Sequence, residues 1–202
     1  MTVNLSLPDG PVAEASLVVA RELTSESIVN HSIRSFWFAR LLAEHEGAVN
    51  DADYDEALLF AATVMHDLGL SEEAPAEARF EVEGADMAVP VLTLHGVTEE
   101  DADRVWEAIA MHATMDIASR RGLLTHLTHV GVMVEVGRAD ALPAELVRPV
   151  HQALPRDPHD TSVRDAIIRH ASRSEAARPP FSISAELYRL SSSRRDGFGD
   201  GP

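Results

Sequence analysis

The sequence of 202 residues contains no cysteine and no lysine, and both absences narrow its chemistry. Without cysteine there are no disulfides, no thiolate nucleophiles and no Cys-ligated zinc, so a bound metal needs His, Asp or Glu ligands. Without lysine, Schiff-base catalysis and the phosphate-binding lysine of a P-loop are excluded. All 17 basic residues are therefore arginines.

Long apolar runs are missing as well. No run approaches the roughly 20 residues that are needed to span a bilayer. The N-terminal stretch MTVNLSLPDG lacks the basic start and apolar segment of a signal peptide. These features predict a cytoplasmic location. The formal net charge of -16 repels polyanions, so neither nucleic acid nor an anionic membrane is an expected partner.

Helical spacing of apolar residues dominates the chain, and strand-like alternation is nearly absent. Ser25 and Thr98 precede acidic first turns, a pattern typical of helix N-caps. We expect one all-α domain over residues 1–190 and a disordered, Gly-rich and Ser-rich tail over residues 191–202. The spacing predicts helices at 12–23, 27–46, 53–67, 83–95, 99–114, 120–139, 161–175 and 183–190.

Two polar residues, His66 and Asp67, stand side by side in the apolar run TVMHDLGL. Burying both groups requires hydrogen-bond partners or a metal. A single histidine on an apolar face is usually a hydrogen-bonded core residue, but several imidazoles with carboxylates form the donor set of a zinc, iron or manganese site. Further residues of this kind lie in apolar helical stretches or at their ends: His31, His95, His112 and Asp140.

Longer motifs surround these residues: NHSIRS, AATVMHDLGL, RFEVEGADMA and HGVTEEDADRVWEAIAMHAT. With the order His, then His-Asp, then a later Asp on a helical chain, they resemble the HD-domain superfamily of metal-dependent hydrolases. Within it they are most similar to the cyanamide hydratase-like branch. The resemblance covers residues 8–142 and implies a single HD-domain helical bundle, to which residues 143–190 add further helices.

The resemblance also implies a metal site. Glu135 and Asp116 compete with Asp140 for the last ligand position, because the sequence before Asp140 matches the family pattern less closely. Asp140 is preferred because it follows a long apolar helix. Zinc or iron is the expected metal, and manganese or nickel is accepted by the same donors. The four implied ligands are His31, His66, Asp67 and Asp140.

Catalytic roles follow from the same resemblance. Asp67 is expected to bind the metal and to orient the attacking water. His112, with His95 behind it, is the expected proton donor. In dinuclear relatives these two histidine positions bind a second metal, and we favour the mononuclear form. Three neighbours are expected to support the ligands or the substrate: Asn30, Arg34 and Glu81.

The favoured interpretation is a hydratase or hydrolase that adds metal-activated water to a small molecule, at a nitrile carbon as in cyanamide hydratase. The alternatives are a phosphohydrolase of a nucleotide or small phosphate ester, a di-iron oxygenase, and a non-catalytic metal-binding or ligand-binding protein. A homodimer formed through residues 143–190 is a further expectation. The later histidines are expected at the surface: His151, His159 and His170.

Overall fold

The computed structural model describes residues 3–196, which form nine α-helices and no strand. The predicted all-α class is therefore confirmed. None of the helices in this part of the chain combines the length and apolar character needed to cross a membrane. The helices are α1 (Pro11–Leu23), α2 (Glu26–Glu46), α3 (Glu56–Met65), α4 (Phe80–Leu94), α5 (Glu99–Met111), α6 (Leu123–Glu135), α7 (Ala144–Ala153), α8 (Ser162–Arg173) and α9 (Ile183–Asp196).

Side chains set several helix starts. Ser25 and Thr98 each accept a hydrogen bond from the amide three residues later, which confirms both predicted N-caps. Asp55 accepts from two amides of the first turn of α3. Because this carboxylate satisfies amides that have no partner within the helix, α3 begins at Glu56 rather than at residue 53.

Helix α7 is absent from the predicted set, because Pro149 lies inside it. A proline removes one backbone hydrogen bond and normally ends a helix. Here Leu146 and Val150 are buried in the main hydrophobic core, and α7 packs against α2. Burial of one apolar face stabilises this short helix despite the missing hydrogen bond.

Helix α9 is longer than expected. It continues to Asp196, so residues 191–196 are helical rather than part of a disordered tail. The remainder of the predicted tail, residues 197–202, lies outside the described residues.

Helices α2 and α6 cross at the centre of the fold. A Cβ atom at Gly131 of α6 would lie 2.6 Å from the carbonyl oxygen of Ser35 and 2.7 Å from the Cβ of Ala39, both on α2. Only glycine fits this approach. His31 lies one turn before Ser35 on α2, and Glu135 lies one turn after Gly131 on α6. The contact at Gly131 therefore brings these two residues together.

Replacing Gly131 by alanine should therefore destabilise the protein. The added methyl group meets backbone atoms that cannot move independently, and overpacking of this kind costs about 1 to 3 kcal/mol. Gly122 provides a control, because a Cβ there has no neighbour within 4 Å. Its replacement loses a good N-cap and should cost at most about 1 kcal/mol. Urea unfolding of both variants measures the difference, and equal losses would contradict the close contact.

The C-terminal helices are fixed to α4 through a buried pair of residues. The Nε2 atom of His170 lies 2.8 Å from Glu83 Oε2, and both side chains are buried, so His170 is not at the surface as predicted. Burial raises the pKa of Glu83, but hydrogen bonds from His170 and from the amides of residues 76–78 outweigh it and lower the pKa. This carboxylate joins α8, α4 and the preceding loop.

Candidate metal centre

His66 and Asp67 lie where α3 ends and are 1% and 2% exposed. The chain then forms a short 3-10 helix, Leu68–Leu70. Gly69 in this turn packs against the backbone of α4, where a Cβ atom would overlap the carbonyl oxygen of Phe80. Close packing against α4 therefore keeps the polar doublet inside the protein.

Three potential ligand atoms converge at this point. The Nε2 atoms of His31 and His66 are 3.1 Å apart. Asp67 Oδ2 lies 3.7 Å from the first of these atoms and 3.4 Å from the second. The three residues belong to α2 and to the end of α3, and all are buried. They form the His-His-Asp triad of the candidate site.

The hydrogen bonds of the triad turn its lone pairs inward. His66 Nδ1 lies 2.6 Å from the carbonyl oxygen of Thr63. A carbonyl only accepts, so Nδ1 carries the proton and the Nε2 lone pair faces the cluster. Burial lowers the pKa of His66, which favours this neutral form. Asp67 Oδ2 has no hydrogen-bond partner among the described residues, and such a buried acceptor needs a compensating charge.

The spacing of the three atoms fits one metal ion. A circle through points at these separations has a radius of about 2.0 Å, and bonds from zinc to His and Asp are about 2.0 to 2.2 Å. Two imidazoles and one carboxylate suit zinc or iron and leave further coordination positions free.

Glu135 lies on the outer side of the triad. Its Oε2 is 2.6 Å from His31 Nδ1, and its Oε1 accepts from Arg34 Nε at 2.8 Å. Burial alone would raise the pKa of Glu135, but His31 and Arg34 outweigh it and lower the pKa to about 2. An ionised Glu135 therefore fixes the ring of His31, as outer partners of metal-binding histidines do. In this position Glu135 contacts His31 from outside the three converging atoms, and the choice of the last ligand stays a prediction.

Asp140, the fourth predicted ligand, lies outside the triad. Helix α6 ends at Glu135, and Gly137 turns the chain with a φ of 72°. Asp140 lies beyond this turn and is exposed. The other competitor, Asp116, is exposed as well, with a φ of 63°.

His95 also lies away from the triad. It follows the last turn of α4 and is exposed, and its Nδ1 donates to the Val91 carbonyl at 2.8 Å. It lines a separate surface groove beside α1 that includes Val18 and Leu94. His95 therefore lies in a different part of the molecule from the triad, and its role as proton donor or second-metal ligand stays a prediction.

His112 does reach the candidate site. Its ring lies 4.7 Å from that of His66, centroid to centroid, and both line the same cavity. Its Nδ1 donates to the Ile109 carbonyl at 2.7 Å. Burial and the neighbouring His66 hold the pKa of His112 well below its usual value, so it is neutral at pH 7. Its ring nitrogens do not belong to the set of three converging ligand atoms.

The three predicted supporting residues have different positions. Arg34 is buried, binds Glu135 and lines the cavity. Glu81 is buried but pairs with Arg79 at 2.5 Å. Asn30 is half-buried, and neither Asn30 nor Glu81 lines the cavity.

A cavity of about 360 Å³ opens beside the triad. Sequence reasoning missed part of its lining, because this part comes from the C-terminal region, where no motif marks it. Arg156 donates to the Glu135 carbonyl at 2.7 Å. Asp160 accepts hydrogen bonds from Ser162 and Ser27, which lower the pKa of its carboxyl group to about 2.

A family model described as HD domain matches residues 28–190. The match begins before His31 and continues through α7 and α8 into α9, beyond the stretch that carries the sequence resemblance. A search of curated proteins found no match.

Proposed function

The chain belongs to the HD-domain family, whose members are generally metal-dependent hydrolases, and we propose that it adds water to a nitrile carbon in a cyanamide hydratase-like reaction. One observation carries the proposal: a single buried His-His-Asp triad faces a cavity that also contains a neutral histidine, His112. A triad of this kind suits one metal with open positions, which hydration of a small molecule requires.

His31, His66 and Asp67 would hold the metal, with zinc or iron as the leading candidates and manganese or nickel as further possibilities. When bound, the cation lowers the pKa of a water molecule from about 15.7 toward 7 and so supplies a nucleophile at neutral pH. Asp67 also lies next to His66 in the chain, where its second oxygen can orient the attacking water.

His112 provides proton transfer in this proposal. Its Nε2 carries a lone pair in the neutral form, so it accepts a proton from the attacking water. It then donates this proton to the nitrile nitrogen. The nitrile carbon gains a hydroxyl group, and tautomerisation gives the amide, or a urea-type product from cyanamide. No other reactant is needed.

Replacing His112 by asparagine should lower kcat about a hundredfold while metal content is unchanged, because proton transfer is lost and the triad remains. Elemental analysis and steady-state kinetics measure the two effects. His126→Asn is the control, since His126 contacts Glu46 at the surface of α6 rather than the cavity. Loss of metal in the His112 variant would instead make this residue a ligand.

Phosphate-ester hydrolysis is a second candidate, and one observation favours it. Four arginines line the cavity, two of them contributed by the C-terminal region: Arg34, Arg138, Arg156 and Arg164. Arginine is well suited to phosphate recognition. Arg34 and Arg156 already bind Glu135, so fewer guanidinium groups face a substrate than the count suggests. We therefore rank this reaction second.

A di-iron oxygenase and a purely structural metal site both fit the geometry less well. The oxygenase needs a second metal, for which the exposed His95 supplies no ligand. A structural metal would be enclosed by protein, whereas the triad adjoins a cavity. A homodimer through residues 143–190 and the absence of nucleic-acid and membrane partners stay predictions.

Metal-loaded protein should therefore be assayed in parallel with cyanamide, alkyl nitriles and phosphomonoesters. We expect about one metal per chain and amide or urea formation that disappears on chelation. Phosphate release without hydration would replace the first function by the second. Two metals per chain would contradict the mononuclear site.

A further inference from the structure

The cavity beside the triad is larger than a molecule such as cyanamide needs. Its volume is about 360 Å³. Cyanamide has only three non-hydrogen atoms and would leave most of this space filled by solvent. The size lies within the range of about 300 to 1,000 Å³ that is typical of sites for larger organic ligands.

Four apolar side chains of the C-terminal helices line the cavity, next to Arg164 of α8. Helix α8 contributes Val163 and Ile167, and α9 contributes Ile183 and Leu187. These side chains belong to a second hydrophobic cluster, separate from the main core, that also contains Phe80. Apolar side chains of α8 and α9 therefore form part of the cavity wall, together with the polar triad and the arginines named above.

Helix α6 adds two apolar side chains to the lining near the triad. Val132 and Met133 line the cavity one turn or less before Glu135, the residue that fixes His31. A ligand whose reactive group reaches the triad can thus contact apolar side chains of α6, α8 and α9. An apolar ligand that packs against these side chains gains free energy with each methylene buried.

We infer that the natural substrate carries an apolar body, an aliphatic chain or ring of about six or more carbons, which occupies the space under α8 and α9. This inference rests on the proposed function for the position of the reactive group. It makes Ile167, Ile183 and Leu187 specificity-determining residues, and it makes cyanamide itself a poor substrate.

Two homologous series of probes test the inference by binding alone. Straight-chain amides and alkylphosphonates of two to eight carbons present the product of nitrile hydration and an analogue of a phosphate ester. Titration calorimetry with metal-loaded protein gives the dissociation constants. Affinity should rise about threefold to fourfold per methylene in the series whose head group the site accepts.

A matched pair of variants locates the bound chain. Leu187→Trp fills the cavity from α9 and should remove the gain beyond four carbons. Leu190 is one turn further along α9, is 45% exposed and does not line the cavity, so Leu190→Trp should preserve the gain. A substitution at Leu187 is tolerable because this side chain is only half-buried.

The outcomes separate this inference from the proposed function. Chain-length dependence in the phosphonates alone would support the apolar site and reject nitrile hydration. Affinity that does not change with chain length in either series would overturn the inference, even if short nitriles are hydrated. An unchanged dependence of affinity on ligand length in Leu187→Trp would overturn the inference as well, since the aliphatic part of the ligand would then bind elsewhere.

Discussion

Replacing Asp67 by asparagine should remove the metal and lower activity by at least about a thousandfold. Asp67 Oδ2 faces the Nε2 atoms of His31 and His66 at 3.7 and 3.4 Å, and a metal would bind these nitrogens through their lone pairs. An asparagine amide of the same size can donate hydrogen bonds to those lone pairs. It therefore replaces the cation rather than binding it, and the variant should still fold.

Elemental analysis of protein purified without chelators gives metal per chain for this variant. Asp140→Asn is the matched control, because Asp140 is exposed and outside the triad. It should retain its metal and its activity. Added metal should raise the melting temperature of wild type and of Asp140→Asn but not of Asp67→Asn, since a ligand that binds only the folded state stabilises it. Full metal content and full activity in Asp67→Asn would refute the assignment of the triad as the metal site.

The local sequence predicts most of the helices. It does not predict a helix that forms only because it packs against distant residues. Ser25 and Thr98 determine helix starts through contacts three residues away, which a sequence displays directly. Helix α7 contains Pro149 and forms because Leu146 and Val150 bury against α2. That stabilisation comes from residues about 100 positions earlier in the chain, and the local pattern contains no sign of it.

The same distinction applies to the site. His66 and Asp67 are adjacent, and their apolar context reveals that they are buried. Asp140 was expected to continue the pattern, but a turn at Gly137 carries it to the surface. The role of Glu135 depends on the antiparallel approach of α2 and α6 at Gly131, a contact that only the folded structure reveals.

The C-terminal wall of the cavity was the least accessible to sequence reasoning. Arg156 and Leu187 lie in a region without a recognisable motif, and neither is near the triad in sequence. The buried contact between Glu83 and His170, which joins residues 87 positions apart, holds α8 against α4, and Arg156 is held by the Glu135 carbonyl. Under the proposed function, substrate choice would therefore depend on long-range packing, while His66 and Asp67 are marked by a short motif.

Replacing Glu135 by glutamine should weaken metal binding about tenfold to a hundredfold, because His31 loses its ionised partner. It should also destabilise the metal-free protein by about 3 kcal/mol at pH 7, because the buried Arg34 loses its counter-charge. Glu145→Gln on the exposed face of α7 is the control and should change stability by less than about 0.5 kcal/mol.

The stability difference should depend on pH in a defined direction. Folding lowers the pKa of Glu135 to about 2, from about 4.3 in an unfolded chain. A carboxyl group with a lowered pKa contributes its stabilisation above the unfolded value and loses it as the pH falls through the folded value. Urea unfolding of chelator-treated wild type and Glu135→Gln should therefore differ most above about pH 4.3 and converge toward about pH 2. A difference that stays constant over this window would mean that Glu135 acts through its shape rather than its charge.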